Sequence, residues 1–162
     1  MISTVGRIAP TVLLLALCVL PPASRANPGG GQVTAGSASI TGGAGTLIVT
    51  QGSDRAIINW QDFSIGAGEL TKFVQPDALS ATLNRVVSGA PSSLLGNLQA
   101  NGRVYLINPN GVLVGAGARI DTGGFLASTL DVANSDFLAG GALHFSGDST
   151  AAVRNLGAIN AL

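Results

Sequence analysis

NGRVYLINPNGVLVGAGARIDTGGFLASTLD, residues Asn101 to Asp131, alternates short apolar strands with Asn, Gly, Asp and Pro turns at nearly constant spacing. With apolar centres at Leu106-Ile107, Leu113, Arg119-Ile120 and Phe125-Leu126, each step is about 6 residues and three steps are about 19, a repeat short enough to mark stacked coils. The stretch reads as the wall of a β-solenoid. Three strands would complete one turn of a parallel β-helix.

Within it, Asn108-Pro109-Asn110-Gly111 has the chemistry of a type I turn. Asn at the first position accepts from the backbone, Pro fixes the second φ, Asn tolerates the third position and Gly takes the fourth.

Working outward toward the N-terminus, Leu79 to Val87 reads as a strand, because Ser88-Gly89-Ala90-Pro91 would end a helix and Val86-Val87 is β-branched. Ser92 to Leu98 is a candidate for a helical turn. Leu47 to Gln51, Ala56 to Trp60, Phe63 to Ile65 and Thr71 to Gln75 are strand candidates rich in β-branched and aromatic residues. Gly52-Ser53-Asp54, Gly66-Ala67-Gly68 and Pro76-Asp77 supply the turns between them. Asn27 to Gly45, with short strands at Gln32 to Thr34 and Ala38 to Thr41, is placed to cap the first coil, whose open end would otherwise expose unpaired backbone.

Toward the C-terminus, Ala118-Arg119-Ile120 and Leu143-His144-Phe145 alternate so that the flanking pair faces inward and His144 points outward. Val153 to Asn160 is another partial coil without a polar cap, from which a fragment of a longer polypeptide is expected.

Residues 1–26 have the organisation of a secretory leader: Arg7 in a positive n-region, the 13-residue apolar run Ile8 to Leu20, then Pro21-Pro22 and Ser24-Arg25-Ala26 with small residues at −3 and −1. Cleavage after Ala26 would leave Asn27 as the first mature residue. The competing reading, a membrane anchor, needs about 20 apolar residues, and no stable membrane insertion is expected. Cys18 follows Leu17, too large for a lipidation box, and the mature chain would carry no cysteine and no disulfide.

The remaining 136 residues suffice for one domain, 27–162, and carry 6 basic against 8 acidic residues. A net charge of about −2 with a single lysine, Lys72, argues against nucleic acid as a partner. Gly at 23 residues and charged residues at 10% could signal disorder, but strands such as Leu47-Ile48-Val49 and Ala56-Ile57-Ile58 give the chain a core to bury. Small residues instead suit turns that must approach closely.

Five ordered blocks carry a resemblance: Ile58-Asn59-Trp60-Gln61-Asp62-Phe63 with Ile65-Gly66; Phe73-Val74-Gln75-Pro76; Leu83-Asn84-Arg85-Val86; Leu106 to Gly111; and Thr122 to Asp131. Together they resemble the N-terminal secretion domain of two-partner-secretion exoproteins, the filamentous haemagglutinin family, also described as the haemagglutination activity domain. The resemblance implies a right-handed parallel β-helix with an N-terminal cap, exported by the general secretory (Sec) route of a Gram-negative cell. It implies recognition in the periplasm by the POTRA domains of a dedicated outer-membrane transporter, after which the exoprotein crosses unfolded and folds coil by coil from a formed end.

Asn84, Arg85, Asn108, Pro109, Asn110, Gly111, Thr122, Gly123 and Gly124 are the family-motif positions offered for transporter recognition. Each also has a structural reading. The Asn-Pro-Asn-Gly box is mainly a turn that sustains the fold, Asn84-Arg85 a buried asparagine beside a solvated arginine, and Trp60 a packing residue. No Asn-Pro-Asn-Leu box precedes it, and the chain stops sooner than the family's domain usually does. Contact with a host or neighbouring cell would fall to a downstream region.

An enzyme is the weaker alternative. Asp54, Asp62, Glu69, Asp77, Asp121, Asp131, Asp136 and Asp148 are spread through turns, and only Asp62 with Asp77, or Asp121 with Asp131, could approach across coils as paired carboxylates. One His and no mature Cys give no zinc constellation, Leu47 stands where a calcium nonapeptide needs Asp, and no phosphate loop occurs, so neither metal nor cofactor is expected. An autonomous adhesin binding host glycans or proteins is the third reading, which 4% aromatic content does not favour.

Overall fold

The computed structural model describes residues 27–161, so the expected leader, Cys18 and the cleavage junction lie outside the described residues. Strands β1 (Gln32–Ala35) and β2 (Ala38–Gly43) precede a parallel β-helix wound from β3 (Thr46–Gln51), β4 (Arg55–Trp60), β5 (Leu70–Val74), β6 (Ala81–Val86), β7 (Ser92–Leu94), β8 (Asn97–Ala100), β9 (Arg103–Ile107), β10 (Val112–Val114), β11 (Arg119–Thr122) and β12 (Gly124–Ser128). They continue through β13 (Asp131–Val132), helix α1 (Asn134–Ala139), β14 (Phe145–Ser146), β15 (Val153–Asn155) and β16 (Ala158–Ala161).

Three walls result. The first is ordered β1-β4-β6-β9-β12, the second β16-β11-β8-β5-β3-β2 and the third β15-β10-β7. Each coil contributes one strand to the second, first and third wall in turn, confirming three strands per turn. The coil is longer than the 19 residues read from the apolar centres. Arg55 stacks on Ala81, Ala81 on Arg103 and Arg103 on Gly124, steps of 26, 22 and 21 residues. The excess lies in the corners, which have no apolar centre to betray them.

Alternation along each wall sends one row of side chains into the lumen and the next outward. Ile58, Trp60, Phe73, Leu98, Val104, Leu106 and Ile120 fill the lumen. Trp60 meets Phe63 edge-on at 5.5 Å and Phe63 stacks on Phe73 at 6.5 Å, so Trp60 is the packing residue expected. The lumen also holds amides at one corner. Gln75 Nε2 donates to Ser80 O (3.2 Å), Thr82 Oγ1 (3.2 Å) and Arg103 O (3.1 Å), while its Oε1 accepts the Gly102 N–H (3.0 Å). A Cβ on Gly102 would lie 2.6 Å from Ser80 O and 2.8 Å from Asp77 O as well as 2.8 Å from that same Oε1, so only glycine lets the next coil settle here.

The segment before β3 closes the stack, as its composition predicts, and does so by reversing direction: β1 pairs antiparallel with β4 and β2 antiparallel with β3. Val33, Ala38 and Ile40 plug the end of the lumen.

Three expectations are corrected. Ser92 to Leu98 is not a helical turn but β7 and the start of β8, since pairing of Ser92–Leu94 with Val112–Val114 outweighs local composition. Phe63 to Ile65 forms no regular strand; Ile65 makes a single bridge to Leu94 in the first, incomplete coil of the third wall. Leu143-His144-Phe145 lies on no coil: between β12 and β15 the chain leaves the stack, adding α1 and the antiparallel pair β13–β14, and Leu143 and Phe145 pack on the outside of the first wall while His144, just before β14, is exposed as expected.

Candidate functional site

Asn108 follows β9 where the first wall turns into the third, and it is fully buried. Its Nδ2 donates downward to Ala90 O (3.0 Å) and Ser92 Oγ (2.9 Å) of the preceding coil. Its Oδ1 accepts the Asn110 N–H (2.9 Å), and its carbonyl accepts the Gly111 N–H (3.1 Å), closing the turn the tetrapeptide predicts. Its own N–H donates upward to Ser128 O (2.9 Å). One asparagine therefore ties three coils.

Pro109 and Asn110 are exposed at the tip. Asn110 Nδ2 donates to Ser88 O (2.8 Å), and Pro109 O accepts from Ser149 Oγ (2.6 Å). Gly111 has φ +111°, and a Cβ there would come within 3.3 Å of Ala152 O. Beside this corner runs an open groove of about 260 Å³ lined by Ser93, Asn110, Leu113 and Arg154 among others.

The other motif residues stand elsewhere on the first wall. Asn84 is fully buried in the lumen, accepting from Trp60 Nε1 (3.0 Å) and donating to Tyr105 O (3.3 Å). Arg85 points outward but is not the solvated residue expected. Its guanidinium grips Asp131 through Nε (2.9 and 3.0 Å) and donates to Val132 O (3.0 Å), leaving the side chain 15% exposed. The reason is the excursion after β12, which folds back over this strand.

Thr122, Gly123 and Gly124 form the opposite corner of the wall. The Gly123 N–H donates to Gly102 O (2.8 Å), and a Cβ would meet the carbonyls of Asn101 and Gly102 at 3.1 Å. Thr122 is buried, and its Oγ1 finds no partner among the described residues. The nine positions thus mark two corners and one mid-wall pair; they do not converge.

Sequence reasoning missed the outer face of the first wall. Ile57, Ala81, Leu83 and Ile107 form an apolar stripe there, covered by Val132 and Phe137 of the excursion. Phe137 meets Tyr105 edge-on at 5.7 Å and lies under Arg55 at 5.3 Å, while Arg55 donates to Phe137 O (3.0 Å). The one available signal was Asn134-Ser135-Asp136 ahead of Phe137 with Gly140 three residues on, a short helix with its stop; Gly140 has φ +76°.

The carboxylates considered for paired chemistry are each engaged separately. Asp131 holds Arg85, Asp121 holds Arg119, Asp62 accepts from Ser64 Oγ (3.0 Å), and Asp77 caps its own turn. Among the described residues no group of His, Cys, Asp and Glu could hold a metal ion, and no helix is long and apolar enough to cross a membrane.

The Ser80 hydroxyl and the N–H groups of Ser80 and Leu79 hold the Asp77 carboxyl below the usual carboxylate range, and Arg119 does the same for Asp121. A depressed carboxyl stabilises the fold above its unfolded pKa, about 3.9, and loses that contribution as pH falls through the folded value. Urea midpoints are therefore expected to fall below about pH 4, and Asp77→Asn should remove part of that dependence. An unchanged acid limb in the variant would contradict the assignment.

The sequence profile of the TPS secretion domain matches residues 24–160. Two heme/hemopexin-binding proteins of Haemophilus influenzae are similar. One is 46% identical over 89 residues, 55% of this chain and 10% of that protein. The second, from strain Rd, is 40% identical over 105 residues, 65% of this chain and 12% of that protein. The crystal structure of the HMW1 secretion domain from Haemophilus influenzae superposes with a TM-score of 0.75 at 39% identity, covering 81% of this chain and 36% of that one. The matched part spans roughly a tenth of the curated relatives, so their named binding activity belongs to those whole proteins.

Proposed function

The chain belongs to the TPS secretion domain family, the module of two-partner-secreted exoproteins that works with a cognate outer-membrane transporter, and we propose that its job is to be read in the periplasm by that transporter's POTRA domains and then to seed the folding of the exoprotein it heads. Residues 1–26 are, in this reading, the Sec leader. Residues 27–162 are the address, delivered to the outside of a Gram-negative cell.

The observation that carries the reading is the polarity of the stack. One end is closed by β1 and β2 running antiparallel, and from it the parallel coils stack in one direction. Each formed coil offers the next its backbone hydrogen bonds without a fresh nucleus. Asn108 supports the same reading, because it locks its own coil to the two beside it and leaves Pro109 and Asn110 at the surface for the transporter. No catalysis is assigned.

The test is release. The tagged chain, produced with and without its transporter, is quantified in medium and periplasm together with Asn110→Ala. Asn110→Ala removes an exposed amide and its two hydrogen bonds, to Ser88 O and Asn108 Oδ1, so a loss of stability of about 1–2 kcal/mol at most is expected, with release reduced. Release of the unaltered chain that is indifferent to the transporter would sink the proposal.

A further inference from the structure

The residues that follow the expected cleavage junction are built into the cap. Asn27 Oδ1 accepts from the hydroxyl of Thr71 (3.1 Å), a fully buried residue of β5, and Pro28 next to it is buried. The Gly29 N–H donates to Asp62 O (2.9 Å), and Gly29 O accepts the N–H groups of Gln61 (3.1 Å) and Asp62 (3.2 Å). A Cβ on Gly31 would lie 2.5 Å from the Trp60 ring, so the backbone there packs directly on the indole. From Asn27 onward the chain is therefore tied to β5 and to the corner after β4.

Asn27 also borders a hollow of about 350 Å³ at the cap, together with Leu47, Gly43 and Gly45. Glu69 borders it too, and among the described residues it is the one ionisable side chain in that wall. Its position is set by its backbone, which donates to Gly66 O (3.0 Å) and accepts the Asn97 N–H (2.8 Å). Its Oε2 accepts the Gly66 N–H (2.9 Å), while Oε1 takes no hydrogen bond among the described residues. Side chains two positions apart on a strand share a face and lie about 7 Å apart. Glu69 thus looks the same way as Thr71, the residue that holds Asn27.

A half-buried carboxylate against glycine and leucine has lost water without meeting a cation. Cleavage after Ala26 supplies one. It converts the Asn27 amide nitrogen into an α-amine, whose usual pKa of about 7.7–8.0 leaves it mostly protonated at neutral pH.

We propose that the hollow is the seat of the chain's own new N-terminus, with the Asn27 α-ammonium paired to Glu69. This rests on the leader reading given above. The occupant follows from covalent continuity, because the residue that bears the amine already lines the hollow and is anchored there through Thr71. Leader removal then adds a contact to the cap, and the processed chain holds its closed end more firmly than the precursor does.

The full chain is exported and its processed form purified from the periplasm, where the intact mass reports the first residue. It is compared with Glu69→Gln, which keeps an acceptor for the Gly66 N–H. A third form, released from a cleavable tag, carries Gly-Ser-Gly-Ser before Asn27 and moves the amine up to about 13 Å along the chain; a fourth combines both changes. Either change alone is expected to lower the melting temperature by about 3 °C, and both together by no more. At neutral pH the α-amine of the processed chain should be acylated about fivefold more slowly than that of Glu69→Gln, because the pair keeps it protonated. Losses that add in the combined form would assign Glu69 to its own turn and overturn the seat. An extended form that melts with the unextended chain would overturn it whatever Glu69→Gln does. Both failures leave the leader reading and transporter-dependent release standing, whereas a first residue other than Asn27 would overturn the leader reading and the seat together.

Discussion

Phe137→Ala is expected to cost about 3–4 kcal/mol and to spend that loss in one place. The ring is fully buried on the outside of the first wall, against Ile57, Leu83 and Ile107, with Tyr105 edge-on and Arg55 over its face. A six-residue helix without a side-chain N-cap has no stability of its own, so removing its anchor releases the excursion between β12 and β15. The walls should stay, because the backbones of β4, β6, β9 and β12 hydrogen-bond to one another, and the bond from β4 to the helix comes from the Arg55 side chain.

The measurable signature is new proteolysis within 133–147 and increased binding of a hydrophobic dye, with the far-ultraviolet spectrum of the β-helix retained. Arg85→Ala should act in the same direction by only about 1–2 kcal/mol, because its partner Asp131 is half exposed. If Phe137→Ala instead unfolds walls and helix in one transition, the excursion is an integral part of the core.

Asn108→Ala is the second large effect, about 3 kcal/mol. Alanine cannot replace the two donors given to Ala90 O and Ser92 Oγ or the acceptor for the Asn110 N–H, and each buried group left unpaired costs about 1–3 kcal/mol. For a domain of this size that lowers the melting temperature by roughly 10 °C. Loss of release is expected to follow loss of the folded fraction. Asn108→Asp keeps the acceptor but sets a buried carboxylate oxygen against Ala90 O, so at neutral pH it should destabilise at least as much as alanine. A stable Asn108→Ala protein that is nonetheless retained in the periplasm would move Asn108 from holding the corner to contacting the transporter.

The same asparagine shows why the turn was legible and its importance was not. Asn-Pro-Asn-Gly announces a reversal through local stereochemistry: a fixed φ, a short side chain that hydrogen-bonds its own backbone, and a glycine at the end. The bonds to Ala90 and Ser92 join residues 18 and 16 positions apart, and only coil stacking brings them together. Ser92 to Leu98 illustrates the same limit in reverse. Its composition permits a helical turn, and pairing with β10 and β11 makes it strand.

By itself the sequence determined the class of fold, the number of strands per turn, the antiparallel cap's location and the corner turns, because alternation, β-branching and turn chemistry act over a few neighbouring residues. The tertiary structure alone decided the coil length, the amide of Gln75 seated under Gly102, the clamp of Arg85 on Asp131 and the fold-back of Phe137 onto the first wall. Each of those joins residues from different coils, or from the excursion and the stack. Their partners are chosen by the register of stacking, which is a property of the whole helix and of no segment within it.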